Sequence, residues 1–101
     1  MVQVTWAGSA LRDMREIREF IGRDSQQYAR AMVETIRARA SYLAAFPRLG
    51  RAVPEFPASM YRELLVRPYR VIYLYFEDRS QVLVVSVIHG GRLLRSIPEH
   101  P

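Results

Sequence analysis

Three residues in the last third of the chain carry groups that can do chemistry together: the carboxylate of Glu63, the guanidinium of Arg70 and the imidazole of His89. Such a set can serve as base, phosphate clamp and acid in RNA cleavage. It can equally be a structural salt bridge near a strand end, with His89 as a satisfied hydrogen-bonder. Strand register decides between them. A tight turn near Asp78-Arg79 puts Arg70 opposite Val87, with His89 diagonal on the same face. A tight turn at Arg67-Pro68 adds Leu65 and Glu63 to that face. A one-residue change in either turn scatters the trio.

Composition removes other chemistries. The chain has no cysteine, which excludes disulfides, thiolate metal sites and cysteine nucleophiles. Its two histidines are His89 and His100, so no metal site is expected, and no cofactor is indicated. His100, close to the chain end, is expected to be disordered. Gly90-Gly91 is not a phosphate loop, because no helix with a lysine follows it. Under the register above, Tyr69, Tyr73 and Tyr75 share the face opposite Arg70. Tyrosines at this spacing are more often core or interface residues than base-stacking platforms.

The net charge is +5, and all 15 basic residues are arginine. A GC-rich genome accounts for the missing lysines as readily as selection for anionic partners does. Arginine pairs bidentately with carboxylates and phosphates, so nucleic acid, acidic protein or a ribosome-like surface is favoured over basic partners. No apolar run approaches ~18 residues, so no segment is expected to span a membrane. The first residues do not read as a signal peptide, and the expected location is the cytoplasm.

The elements that must position these residues follow from periodicity. The 101 residues fit one domain, 1–101. Val2, Val4 and Trp6 alternate with polar residues as a short strand does. Ser9 offers an N-cap, and Leu11, Met14, Ile17 and Ile21 then mark an amphipathic helix stopped near Gly22. Asp24-Ser25 caps a second helix with a stripe at Ala29, Met32, Ile36, Ala40 and Leu43, running to about Phe46 before Pro47. The helical hairpin thus covers about 9–46, and its arginines (Arg12, Arg15, Arg18, Arg30, Arg37, Arg39) read as a solvated outer face. A proline-rich loop spans 47–59, a sheet about 60–89 and a C-terminal tail 90–101. The last two strands are almost continuously apolar, so both sheet faces need cover, and two helices supply one. The loop and C-terminus, or a partner, must cover the other.

In order and spacing, Pro47-Arg48-Leu49-Gly50-Arg51, Tyr69-Arg70-Val71-Ile72-Tyr73 and His89-Gly90-Gly91-Arg92 resemble the RelE/ParE superfamily, the toxins of type II toxin–antitoxin pairs. The resemblance extends over about residues 2–95. It implies an α+β fold, β-α-α-β-β-β, with an αα-hairpin packed on a twisted antiparallel sheet. It also implies a cognate antitoxin that wraps the toxin in a hetero-oligomer. One branch cleaves mRNA on the ribosome, and the other blocks DNA gyrase. Arg70 matches a strand arginine common to both. Gly90 and Gly91 stand where the nuclease branch tends to place basic residues, and His89 with Arg92 is similar to the ParE pattern. The resemblance therefore favours a gyrase-inhibiting toxin of plasmid-stabilisation type, with no catalytic residues. Its target-binding set is Arg51, Arg62, Arg70, His89 and Arg92, with Leu93-Leu94-Arg95. The alternative is a ribosome-dependent endoribonuclease. There Arg70 would clamp the phosphate, and His89 or Glu63 would move the proton.

Overall fold

The computed structural model describes residues 1–92. Leu93, Leu94, Arg95 and His100, with the rest of residues 93–101, lie outside the described residues. Strand β1 (Gln3–Trp6) leads into helix α1 (Gly8–Gly22), helix α2 (Gln26–Ser41) and a 3-10 turn at Tyr42–Ala44. Strands β2 (Arg51–Ala52), β3 (Arg62–Val66), β4 (Tyr69–Phe76) and β5 (Gln81–His89) follow. The five strands form one sheet in the order β1-β5-β4-β3-β2.

The two helices form as their periodicity requires. On α1, Ala10, Met14 and Ile17 are buried. On α2, Ala29, Ile36 and Ala40 are buried, and the stripe continues through Leu43 in the 3-10 turn. Ser25 caps α2, its hydroxyl accepting from the Tyr28 amide at 3.0 Å. Ser9 does not cap α1. That helix starts at Gly8, with Ala7 at the cap position two residues earlier, and the Ser9 hydroxyl donates to the Val85 carbonyl at 2.6 Å. The serine therefore ties α1 to the sheet. All six hairpin arginines named above are exposed.

The sheet differs from the antiparallel expectation in one pair. β1 runs parallel to β5, with Gln3 beside Gln81 and Trp6 beside Val84, so the sheet is mixed. The long helical hairpin after β1 is the kind of crossover that parallel neighbours need. The segment expected to be only loop also contains β2, whose Arg51 and Ala52 pair antiparallel with Glu63 and Arg62.

Next to the turn, β4 and β5 pair in the expected register, from Phe76 beside Gln81 to Tyr73 beside Val84. A β-bulge then intervenes, and Ile72 pairs with Ser86 rather than Val85. Beyond it Arg70 stands opposite Ile88, not Val87, and His89 opposite Tyr69. Asp13 of α1 binds beside the bulge, accepting from the Ser86 hydroxyl at 3.0 Å and the Val87 amide at 2.9 Å.

Both sheet faces are dry. Tyr69, Val71, Tyr73, Val82, Val84 and Val87 pack with the helices, and Tyr75 lies against that cluster. The tyrosines thus occupy the face opposite Arg70, as the alternation predicts. On the other face Ile72, Leu74, Val85 and Ile88 are covered by Val53, with Phe56 and Tyr61 against them. The chain therefore covers its second face with the 53–61 loop. Val53 is fully buried, which stabilises the cover by roughly 1.5–3 kcal/mol relative to exposure.

Candidate functional site

The Pro47–Arg51 segment brings two arginine strands together. Tyr73 on β4 is buried, and its hydroxyl donates to the Pro47 carbonyl at 2.8 Å and accepts from the Gly50 amide at 2.9 Å. Gly50 lies so close that a Cβ there would meet the Glu63 carbonyl oxygen at 2.6 Å and the Tyr73 ring at 2.7 Å. Only glycine permits that approach. Arg62 on β3 closes the other side, its Nη1 donating to the Gly50 carbonyl at 2.8 Å. These contacts place β2, and with it Arg51, beside β3 and Glu63.

Glu63 is the centre of the resulting network. Its side chain is 0% exposed. One carboxylate oxygen accepts from Arg70, at 2.7 Å from Nε and 2.6 Å from Nη2. The other accepts from Arg51 Nε at 2.7 Å. A buried carboxylate is tolerable only when its charge and lone pairs are both met, and two guanidiniums do that here. Arg70, 7% exposed, is held on its far side by Glu55, with Nη1 and Nη2 donating to the two oxygens at 2.8 and 2.7 Å. A longer bond runs from Nη1 to the Arg92 carbonyl at 3.3 Å. The hydrogen bonds to Glu55, and then those to Glu63, push Arg70 further above the ordinary arginine range, against the opposite pull of burial. Arg70 is permanently cationic.

The expected trio therefore assembles in part. Glu63 and Arg70 meet, since both lie on the loop-covered face. His89 does not join them. The bulge turns it to the face of Tyr69, whose ring it meets edge-on at 5.7 Å. Its Nδ1 accepts from the Gly91 amide at 3.1 Å. His89 is exposed, as is Arg92. Arg51 keeps 60% of its side chain exposed, and Arg62 is half-buried.

Glu55 and Asp13 are the partners that sequence reasoning missed. Glu55 is an acid inside a proline-rich stretch, and that position predicts a loop, not a clamp on Arg70. Asp13 sits among alternating charges on α1 that read as a wet face. No local spacing in the sequence relates either residue to its partner.

Beside Arg70, at the end of the sheet, lies a cavity of about 560 Å³. Arg51, Arg67, Arg70 and His89 line it together with Glu55. His89 thus shares a space with Arg70 although their strand faces differ. The arrangement offers guanidinium donors at the rim of a pocket, and its one deeply placed cation already holds two carboxylates. Among the described residues no group of acids and histidines is placed to hold a metal ion. No helix among them is long and apolar enough to cross a membrane.

Known proteins share this architecture. The chain is 37% identical over 93 residues to "Toxin RelE2" of Caulobacter vibrioides, which covers 92% of this chain and 100% of that protein. The fold matches the chromosomal ParDE toxin–antitoxin system of P. aeruginosa, with a TM-score of 0.72 at 18% identity over 88% of this chain and 96% of that one. It also matches the intact RelBE toxin–antitoxin complex of E. coli, with a TM-score of 0.65 at 17% identity over 91% and 100% of the two chains. Likeness at that identity shows the fold alone. The family described as "ParE toxin of type II toxin-antitoxin system, parDE" matches residues 4–94. The chain therefore belongs to the ParE toxin family of type II toxin–antitoxin systems, within the RelE/ParE superfamily.

Proposed function

We propose that this toxin acts by holding DNA gyrase in a stalled state, and that a cognate antitoxin neutralises it in a toxin–antitoxin hetero-oligomer. The observation that carries the reading is the state of Arg70. A nuclease would need that guanidinium for the scissile phosphate. Here it is bidentate to Glu55 and bonded to Glu63, with the side chain almost completely buried. The imidazole that would move a proton lies on the other strand face, beside Tyr69. The working surface on this reading is the exposed rim of Arg51, His89 and Arg92 with the half-buried Arg62, and Arg70 is its buried support. The match of residues 4–94 to a ParE family supports the same branch. Antitoxins are present in the ParDE and RelBE assemblies that share the fold, and this supports a protein partner for the +5 chain.

The purified protein is added to gyrase supercoiling reactions and, separately, to translating ribosomes. Blocked supercoiling with intact mRNA is the expected result. Cuts at defined codon positions with gyrase unaffected would transfer the protein to the ribosome-dependent endoribonuclease reading. Arg70, His89 and Glu63 would then be the residues to test. A gene that fails to arrest growth when expressed alone would make the chain a binding module without toxicity.

A further inference from the structure

Helix α2 carries a second stripe besides its buried one. Tyr28, Ala31, Thr35, Ala38 and Tyr42 recur at alternating spacings of three and four, and all five are exposed. At about 100° per residue they fall within about 80° of one another, on a flank beside the core stripe of Ala29, Ile36 and Ala40. Tyr42 belongs to the stripe because it closes α2 with helical backbone angles. The opposite flank is used by the fold itself, where the Arg37 guanidinium lies 5.7 Å from the centre of the Trp6 ring. Tyr28 and Tyr42 keep 55% and 57% of their surface open, so an aromatic ring stands in solvent at each end of the stripe. A helix normally shows one apolar stripe, the one it buries, and a second one facing solvent is a surface for another helix.

The spacing is that of a coiled-coil seam, in which positions a and d of a heptad meet a second helix. Tyr28, Thr35 and Tyr42 take position a, and Ala31 and Ala38 take position d. Alanine ends at Cβ, so two backbones can approach closely there. The hydroxyl in the middle of the seam is already satisfied. Thr35 Oγ1 donates to the Ala31 carbonyl at 2.9 Å, and covering it strands no polar group. The same register makes Glu34 a g position and Arg39 an e position. Five residues apart on one helix, they do not face each other. Among the described residues neither has an ion-pair partner. Across two parallel helices, however, g of one heptad faces e of the next heptad in the partner. Glu34 then meets the partner's Arg39, and the two-fold axis repeats the contact. An antiparallel pair sets g against g, so Glu34 would meet Gln27, Glu34 or Ser41 of the partner subunit and gain no opposite charge.

We infer that α2 pairs in parallel with α2 of a second copy of this chain, through the flank of Tyr28, Ala31, Thr35, Ala38 and Tyr42, with reciprocal Glu34–Arg39 ion pairs fixing the register. The charge complementarity lies within one sequence, and this is what singles out a second copy as the occupant. The seam spans two heptads, so the pairing is weak and depends on concentration. None of the seam residues belongs to the Arg70 network, so each copy keeps that network whole. A two-fold pair therefore carries two intact arginine rims. The inference is independent of the target that those rims meet.

The test is sedimentation equilibrium of the full chain at low salt, from about 1 μM to about 1 mM, the range in which a weak interface fills. A monomer–dimer equilibrium is expected. All the substituted positions are exposed, so the variants should keep the parent's circular dichroism and melting. Ala38→Glu sets two like charges against each other in the seam and should leave only monomer. Glu34→Arg and Arg39→Glu each turn both ion pairs into like-charge contacts and should weaken dimerisation about tenfold. The double variant restores both pairs with their signs exchanged and should return to within about twofold of the parent. Ala31→Cys adds a thiol to a chain that has none, and oxidation should link two copies through it, because parallel helices bring that position to face itself. A parent chain that stays monomeric throughout would overturn the inference. So would a dimer indifferent to Ala38→Glu, a double charge variant as weak as the single ones, or a dimer that Ala31→Cys does not link. The neighbouring gene's product is tested on the same chains. If it binds a monomeric parent and fails to bind Ala38→Glu, the flank belongs to that partner and the self-pairing is wrong.

Discussion

Replacing Glu63 by glutamine keeps the shape of the side chain and removes its charge. The parent carboxylate receives Arg70 on one oxygen, at 2.7 and 2.6 Å, and Arg51 on the other, at 2.7 Å. A glutamine offers one acceptor, and its amide nitrogen must face a guanidinium. The Arg51 side of the loss is small. Arg51 is 60% exposed and turns to water, which costs about 0–1 kcal/mol. The Arg70 side dominates, because that guanidinium is 7% exposed and cannot rehydrate. Stranding one member of a buried pair costs about 3–5 kcal/mol. Glu55 still neutralises Arg70 from the other side, which argues for the lower end, about 3 kcal/mol. That is a large share of the roughly 5–15 kcal/mol that stabilises a domain. Urea unfolding of a chain this size has a slope of about 1–3 kcal/mol/M, so the midpoint should fall by roughly 1–3 M. The double variant Glu63→Gln with Arg70→Met removes the stranded charge and should lose no more than the single one. A midpoint that moves by less than about 0.5 M, or a double variant clearly worse than the single, would refute the claim that burial makes this network structural.

Other perturbations test the neighbouring contacts. Gly50→Ala would put a Cβ 2.6 Å from the Glu63 carbonyl oxygen, and this backbone cannot yield, so the loop must lift. A loss of about 2–3 kcal/mol is expected in thermal unfolding, with altered near-UV dichroism from Tyr73. Burial raises the Tyr73 hydroxyl above the usual tyrosine value, so the folded chain favours the neutral phenol. The stability it contributes is complete below about pH 10 and is lost as pH rises through the folded-state value. Tyr73→Phe should flatten that alkaline limb, read by denaturation at several pH values. The limb from Tyr69, also raised by burial, should remain. Asp13→Ala strands the buried Ser86 hydroxyl and the Val87 amide beside the bulge, which should cost about 1–3 kcal/mol in the same denaturation assay. An unchanged midpoint would show that Asp13 is dispensable there.

The helices were legible because their signals are local. Met14 and Ile17 on α1, and Ala29, Ile36 and Ala40 on α2, are spaced for one buried stripe each and are buried as spaced. Ser25 before α2 caps it as its position suggests. Ser9 misled because the same residue type can cap a helix or reach a distant carbonyl. Here Val85, far along the chain, supplies the better acceptor. The strand pair β1–β5 was out of reach for a related reason. Neither strand carries a local mark that it will lie parallel to the other, and the pairing is decided by where the hairpin returns the chain.

Register is where the site was lost and where its logic lies. From Val82 to Ile88 the sequence is apolar at every position but Ser86, because both faces of β5 are buried. A strand with one wet face would reveal its register by alternation, and a slip would expose its core side. This strand carries no such penalty in its sequence, so an extra residue at Val85 passes unseen. The tertiary structure specifies the bulge instead. Ser9 holds the Val85 carbonyl, and Asp13 holds Ser86 and Val87, so α1 clamps both sides of the irregularity. One residue of offset then separates His89 from Arg70 and leaves Arg70 to acids from β3 and the covering loop. The contacts that fix the bulge therefore also determine which groups can share the Arg70 site. Asp13, on a helix with no direct bond to Arg70, acts on that site through the register of β5.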